Sequence, residues 1–247
     1  LVRTSELVVM RAAGVSALVV PAVDATSFPE VRACCARYPG CAPAYGIHPL
    51  YVQRASQADL DTLRDWLRPS GDHSPRPVAV GEIGLDLFSV DPDFQRQEYF
   101  FVEQLKIARA ADLPVLLHVR RAIDQVLKNL RRIRVRGGIA HAFNGSRQQA
   151  DEFISLGFKL GFGGALTHAG STRIHRLAAS LPLDSLVLET DAPDMPPAWL
   201  AGGRNAPSQL PRITEALAEL RAIEPAELAR ATSANALAVL PELLSLD

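Results

Sequence analysis

Apolar residues in this chain alternate between short unbroken blocks and longer stretches in which they recur every third or fourth position. The short blocks are AlaLeuValValPro at 17–21, Ala42 to Gly46, the run that opens the stretch Val78 to Asp86 and ends in Glu82, Val115 to Val119, Gly138 to Ala140, Phe158 to Phe162 and Leu186 to Glu189. Blocks of this length read as strands, and their lack of polar interruption suits a parallel sheet buried on both faces. The longer stretches read as helices: Phe28 to Tyr38, Asp59 to Leu67, Ile123 to Arg132, Arg147 to Leu156, Ser171 to Leu181 and Leu210 to Arg221. Asp91-Pro92 opens a further long helix in which Phe94, Phe101, Val102, Leu105 and Ala108 form a core-facing stripe. Ser5 to Ala13 reads as a helix capped by Ser5 and stopped by Gly14, Pro69 to Pro77 as a surface loop, and Pro225 to Ala231 and Ser233 to Leu240 as two short closing helices.

Strands alternating with helices through residues 1–247, with no change of composition, predict one domain of repeated βα units. Seven strands are counted, where a (β/α)8 TIM-type barrel needs eight, and the chain opens on a helix. The missing strand is therefore most simply the first. The alternative is an open doubly wound sheet, which would gather its site at one switch point. The candidate ligands come instead from several non-adjacent strands, which favours the barrel. No GxGxxG or GxxxxGK[ST] loop is present to cradle a nucleotide phosphate.

Four apolar runs each put a residue able to ligate a metal at a strand's C-terminal end, where an alternating strand and helix protein builds its site: Glu82, His118, His141 and Asp191. A buried strand is a poor place for an unpaired charge, so convergence of the four on one cation would explain them together. His48 follows the second strand in the same way. Arg120 and Arg121 directly follow the His118 strand, on the face where guanidinium groups can hold phosphate, with a surface salt bridge as the plain alternative. Arg131 to Arg136 reads as a solvated helix end, His73 and His175 as solvated or structural, and His168 as ambiguous.

A formal charge of −1 provides no overall attraction for nucleic acid, so a polyanion would need a local patch. Cys34, Cys35 and Cys41 are odd in number and crowded into one stretch, which fits packing thiols in a reducing cytoplasm better than a disulfide framework. No apolar run reaches the roughly 18 residues of a spanning helix. The reading is a cytoplasmic monomer with no membrane partner.

GlyIleHisPro at 46–49, GlyGluIleGlyLeuAsp at 81–86, GlnArgGln followed by GluGlnLeu in the long helix, LeuProValLeuLeuHis ending at His118, HisAlaPheAsnGlySer from His141 and GluThrAspAlaPro at 189–193 occur in one order. Together they resemble the TatD family of metal-dependent hydrolases, collinearly from about residue 14 to the end. The resemblance implies a TIM-type barrel of the amidohydrolase class with one or two divalent ions, zinc, manganese, iron or, less readily, magnesium. It also implies cleavage of DNA by metal-activated water. Carried onto this chain, Glu82 bridges two metals, His118 and His141 complete one site, and Asp191 ligates the other and takes a proton. His48, the Asn144 to Ser146 loop with its Asn144 and Ser146, and Asn205 join Arg120 and Arg121 as phosphate contacts.

A hydrolase of a small ester, lactone or amide, and a metal-poor binding protein, are the alternative functions. The family's first strand carries a His-x-His pair that this sequence lacks. The natural protein is accordingly expected to extend upstream of Leu1 by about 15 to 25 residues, enough for one strand and a loop.

Overall fold

The computed structural model describes residues 9–68 and 74–245. Its strands are β1 (Leu18–Pro21), β2 (Cys41–Tyr45), β3 (Ala79–Asp86), β4 (Val115–Arg120), β5 (Gly138–Ala140), β6 (Phe158–Phe162) and β7 (Leu186–Leu188). All neighbours are parallel and the spatial order is the chain order, β1 to β7. An order without reversal has no switch point, which removes the doubly wound alternative. Among the described residues β1 and β7 each have one neighbour. Of the expected first helix, residues 9–12 are helical, while Ser5 and the stretch 69–73 with His73 lie outside the described residues.

Alternation along the strands separates two cores. Val20, Cys41, Tyr45, Val80, Ile83, Leu85, Val115, Leu117 and Ala140 pack outward against the helix layer, on Phe28, Leu60, Phe101, Leu105, Val126 and Phe153. Their neighbours Val19, Ala42, Ala44, Ala79, Leu116 and Ile139 gather instead around Val239, Leu240 and Leu243 of the C-terminal segment. Strands β1 to β5 would span about 19 Å if laid flat at the usual spacing. For all five to share one small apolar cluster with that segment the sheet must curl, so this second core is the floor of a concave face.

The long helix Phe94–Ala110 begins where the Asp93 carboxylate accepts the Arg96 amide at 3.0 Å. Besides its apolar stripe it buries two glutamines seven residues apart, on one helix face. Gln97 accepts from Asp86 N at 2.8 Å and donates to Asp86 O at 2.9 Å. Gln104 does the same for Ile47, at 2.7 and 3.0 Å. Each clamps the backbone beside a site residue, which gives the GlnArgGln and GluGlnLeu motifs a structural role.

Two expectations change. The closing pair of helices is one continuous helix, Pro225–Val239. Thr232 bonds back to Leu228 O at 2.9 Å and Asn235 Nδ2 donates to Leu183 O and Leu186 O, both at 2.8 Å. The polar ThrSerAlaAsn run is thus anchored within the helix rather than breaking it. The second change concerns Glu82 and His118, which sit inside β3 and β4 rather than at the strand ends. None of the helices in the described residues is long and apolar enough to cross a membrane.

Phe28, Tyr45 and Trp66 pack as an aromatic cluster with ring centroids 5.1 to 5.7 Å apart. The Tyr45 hydroxyl is buried without a hydrogen-bond partner among the described residues. Tyr45→Phe removes an unpaid desolvation cost and keeps the ring, so it should raise unfolding free energy by about 1 kcal/mol in a denaturant titration. A loss of stability would mean that the hydroxyl has a partner in solution.

Candidate metal centre

Register shows how Glu82 enters the concave face. Val80 pairs with Val115 and Ile83 with Leu117, so β3 spends one residue more than β4 between these points. Val80 and Ile83 both face the helices, whereas strict alternation from Val80 would send Glu82 there too. The bulge turns Glu82 inward, and Gly84 and Asp86 follow on the same side. His118 lies two residues beyond floor residue Leu116, and His141 two beyond Ile139, so both also face inward. Gly84 faces His118 in the ladder with φ of 150°, and a Cβ there would meet His118 O at 1.9 Å. Glycine alone permits that approach.

The cluster converges on one oxygen, Glu82 Oε1. His141 Nε2 stands 2.9 Å away, His118 Nδ1 3.0 Å and His48 Nε2 3.8 Å. Each of the two nearer histidines is held on its far side by a second carboxylate. His118 Nε2 is 3.0 Å from Asp86 Oδ2, and His141 Nδ1 is 3.6 Å from Glu189 Oε1, which also accepts the Ala142 amide at 2.7 Å. Glu189 reaches from beyond β7 across β6, passing over Gly161, where a Cβ would lie 2.0 Å from Glu189 Oε2. Asp86 and Glu189 were not among the residues picked out from sequence. The signal for Asp86 is parity with Glu82 on the inner face; for Glu189 it is an acid at the end of an apolar block.

Burial pushes the Glu82 carboxyl up, but His141 and His118 beside it outweigh this and hold it well below the usual range. Burial likewise pulls His141 down, and Glu82 and Glu189 together raise it well above 6.5. His48 differs: burial lowers it to about 4, with Glu82 opposing. Its Nδ1 accepts the Leu50 amide at 3.2 Å, so the proton sits on Nε2, which points at Glu82. Asp191 stands at the exposed lip in left-handed backbone, φ 54°. Enclosure of its carboxyl by the surrounding chain, joined by Glu82, Glu189 and Asp194 against His141, pushes it up to about 6.

The predicted phosphate contacts separate. Arg120 and Arg121 are exposed at the end of β4, with their guanidinium groups over the Phe88 ring. Asn144 is exposed in the loop after His141. Ser146 is committed as a helix cap, its hydroxyl accepting Gln149 N at 3.1 Å. Asn205 is not a substrate contact: it is fully buried, and its amide donates to Thr190 O, Asp194 O and Met195 O while its oxygen accepts Ala206 N. It shapes the loop carrying Asp191. His168 and His175 bond backbone carbonyls of Pro196 and Leu166, away from the cluster.

The family model described as TatD related DNase matches residues 3–241. The chain belongs to the TatD family of metal-dependent hydrolases. It is 43% identical over 226 residues to the metal-dependent hydrolase YjjV of Escherichia coli K12, covering 90% of this chain and 85% of that protein. The crystal structure of that TatD homologue superposes with TM-score 0.91, covering 96% of this chain and 91% of the other. The 3'-5' ssDNA/RNA exonuclease TatD of Erwinia billingiae is 32% identical over 232 residues, with 91% and 87% covered. An amidohydrolase from Saccharomyces cerevisiae, 19% identical with TM-score 0.80 over 95% and 91% of the chains, shares the fold, a TIM-type barrel. In this TatD protein His48, Glu82 and His118 bring their ligand atoms within 4.8 Å of one another, a spacing that can hold a cation.

Groups that orient metal-binding histidines typically change metal affinity 10- to 100-fold when removed. Glu189→Ala frees His141 Nδ1 and should weaken divalent-ion binding by about that factor, read by competition with a chromogenic chelator. An unchanged affinity would place His141 outside the metal site.

Proposed function

We propose that this TatD protein hydrolyses phosphodiester bonds of DNA. The observation that carries the reading is the pairing, on one face, of an imidazole–carboxylate cluster centred on Glu82 Oε1 with two exposed arginines that have no acid partner among the described residues. The donor set fits a divalent ion. Two imidazole nitrogens, each backed by a carboxylate, already point at one ionised carboxylate oxygen, and mixed nitrogen and oxygen donors suit zinc, manganese or iron, and magnesium less well. Glu82, His118, His141 and Asp191 would hold it, with Glu82 and Asp191 available to a second ion. Such an ion, when bound, lowers the pKa of water towards roughly 7 and offsets negative charge gathering at phosphorus.

The chain's own groups do the rest. Asp191, at the exposed lip beside the ion it would help to hold, is the carboxylate placed to take the proton of the attacking water. His48 stays neutral and carries its proton on Nε2, so it can donate a hydrogen bond inward to a phosphoryl oxygen once that oxygen displaces its contact with Glu82. Arg120 and Arg121 receive phosphate oxygens at the mouth, and Asn144 lies on the same rim. Asp86 and Glu189 keep the two inner histidines turned towards Glu82.

Glu82→Gln and Asp191→Asn each remove a charge with almost no change of volume. Each should cut release of nucleotides from a single-stranded oligonucleotide by at least about 100-fold with manganese present, while the melting curve stays cooperative. Full activity in either purified variant would sink the assignment. Wild-type turnover of small esters or lactones but not of DNA would instead favour the small-ester hydrolase.

A further inference from the structure

Three side chains meet at the mouth of the site, the guanidinium groups of Arg120 and Arg121 both lying over the ring of Phe88. Phe88, in the turn after β3, is 45% exposed. The guanidinium carbons of Arg120 and Arg121 lie 3.8 and 4.3 Å from its ring centroid. Neither guanidinium has an acid or other hydrogen-bond partner among the described residues. Two like charges over one ring are closer than the screening length of about 10 Å in 0.1 M salt, so they repel, and the ring face is what offsets the repulsion.

The turn that carries Phe88 is rigidly placed. Asp86 Oδ1 accepts from Phe88 N at 2.9 Å and Ser89 N at 3.1 Å, and Leu87 N donates to Arg120 O at 2.9 Å. The other oxygen of the same carboxylate, Oδ2, is the one at 3.0 Å from His118 Nε2. Gln97 grips Asp86 from the long helix through both backbone groups. One buried carboxylate therefore fixes the ring on one side and a cluster histidine on the other.

We propose that Phe88 is a positioning residue that gathers Arg120 and Arg121 into a two-charge clamp for the phosphates of a strand, held in register with Glu82 and His118 by Asp86. The proposal rests on the phosphodiester reading of the same site. Guanidinium forks pair with phosphate oxygens through parallel hydrogen bonds, and holding both forks on a ring in advance reduces the side-chain entropy lost when the anion arrives. The ring acts on the substrate through the arginines, and this sets the clamp apart from a stacking platform for bases.

The test is equilibrium binding of a fluorescein-labelled, phosphorothioate-linked thymidine dodecamer to the intact protein, read by anisotropy over a series of salt concentrations. Phe88→Leu keeps the bulk and loses the π face, and should weaken binding roughly five-fold, while Phe88→Tyr restores it. Replacing both arginines by alanine should lower the slope of log affinity against log salt by about 1.4. Adding Phe88→Leu to that double variant should cost nothing further. An equal loss from Phe88→Leu with and without the arginines, or no loss at all, overturns the clamp. Wild type that shows the expected dependence on Phe88 but releases no nucleotides from ordinary DNA supports the clamp and overturns the hydrolytic reading. Cleavage by wild type with an affinity indifferent to Phe88→Leu does the reverse.

Discussion

A buried carboxylate facing three imidazoles is the constraint around which this molecule is arranged. Glu82 lies in the interior of a parallel sheet, where an isolated negative charge costs several kcal/mol or is discharged by protonation. It keeps its charge because His141 and His118 face it at 2.9 and 3.0 Å. Those histidines need anions of their own behind them, and Glu189 and Asp86 provide them. The result is an alternation of carboxylate and imidazole, running from β3 towards β7, in which each member is held by its neighbours.

Backbone geometry makes this alternation possible. The extra residue between Val80 and Ile83 sets Glu82 on the concave side while Ile83 and Leu85 stay in the helix-facing core. Without the bulge the same sequence would bury Glu82 among leucines and phenylalanines. Gly84 then allows β3 to pass against His118 O, and Gly161 leaves a lane across β6 for the Glu189 side chain. The glycines of the GlyGluIleGly motif and of β6 are thus part of the electrostatics, since they fix where charges can meet.

Much of this was legible from the chain. All seven strands were marked by apolar blocks, and their sequential order follows once βα units repeat without a second compositional regime. The four candidate ligands were legible because a charge or histidine in an apolar block is conspicuous. What was not legible depends on parity and reach. A one-residue bulge leaves no mark in an apolar pattern, and a polar side chain interrupts one, so Glu82 and His118 read as the ends of apolar runs although both strands continue past them. Asp86 looked like a strand end, and Glu189 like the end of the apolar block that leads to Asp191; their contacts with His118 and His141 join residues 32 and 48 positions apart. Asn205 misled for the opposite reason. It lies in a polar ArgAsnAlaPro stretch that reads as a substrate loop, yet every polar atom of its side chain is spent on its own chain.

The two ends of the concave face differ because position along a strand, unlike position across it, is free to specialise. Residues two apart share a face, so Leu116 and His118, or Ile139 and His141, look into the same space at different heights. The lower member of each pair packs into the apolar cluster of Val239, Leu240 and Leu243, which close the floor; the upper member joins the imidazole–carboxylate cluster. Apolar packing at the floor excludes water beneath the cluster and lowers the local dielectric there, which strengthens each of its charge pairs. The solvent-facing rim carries Asp191, Asn144, Arg120, Arg121 and Phe88, at or just beyond the ends of β7, β5, β4 and β3. Change at the rim can therefore alter what is bound without disturbing the floor, whereas a change at Leu116 or Ile139 weakens the packing on which the buried charges depend.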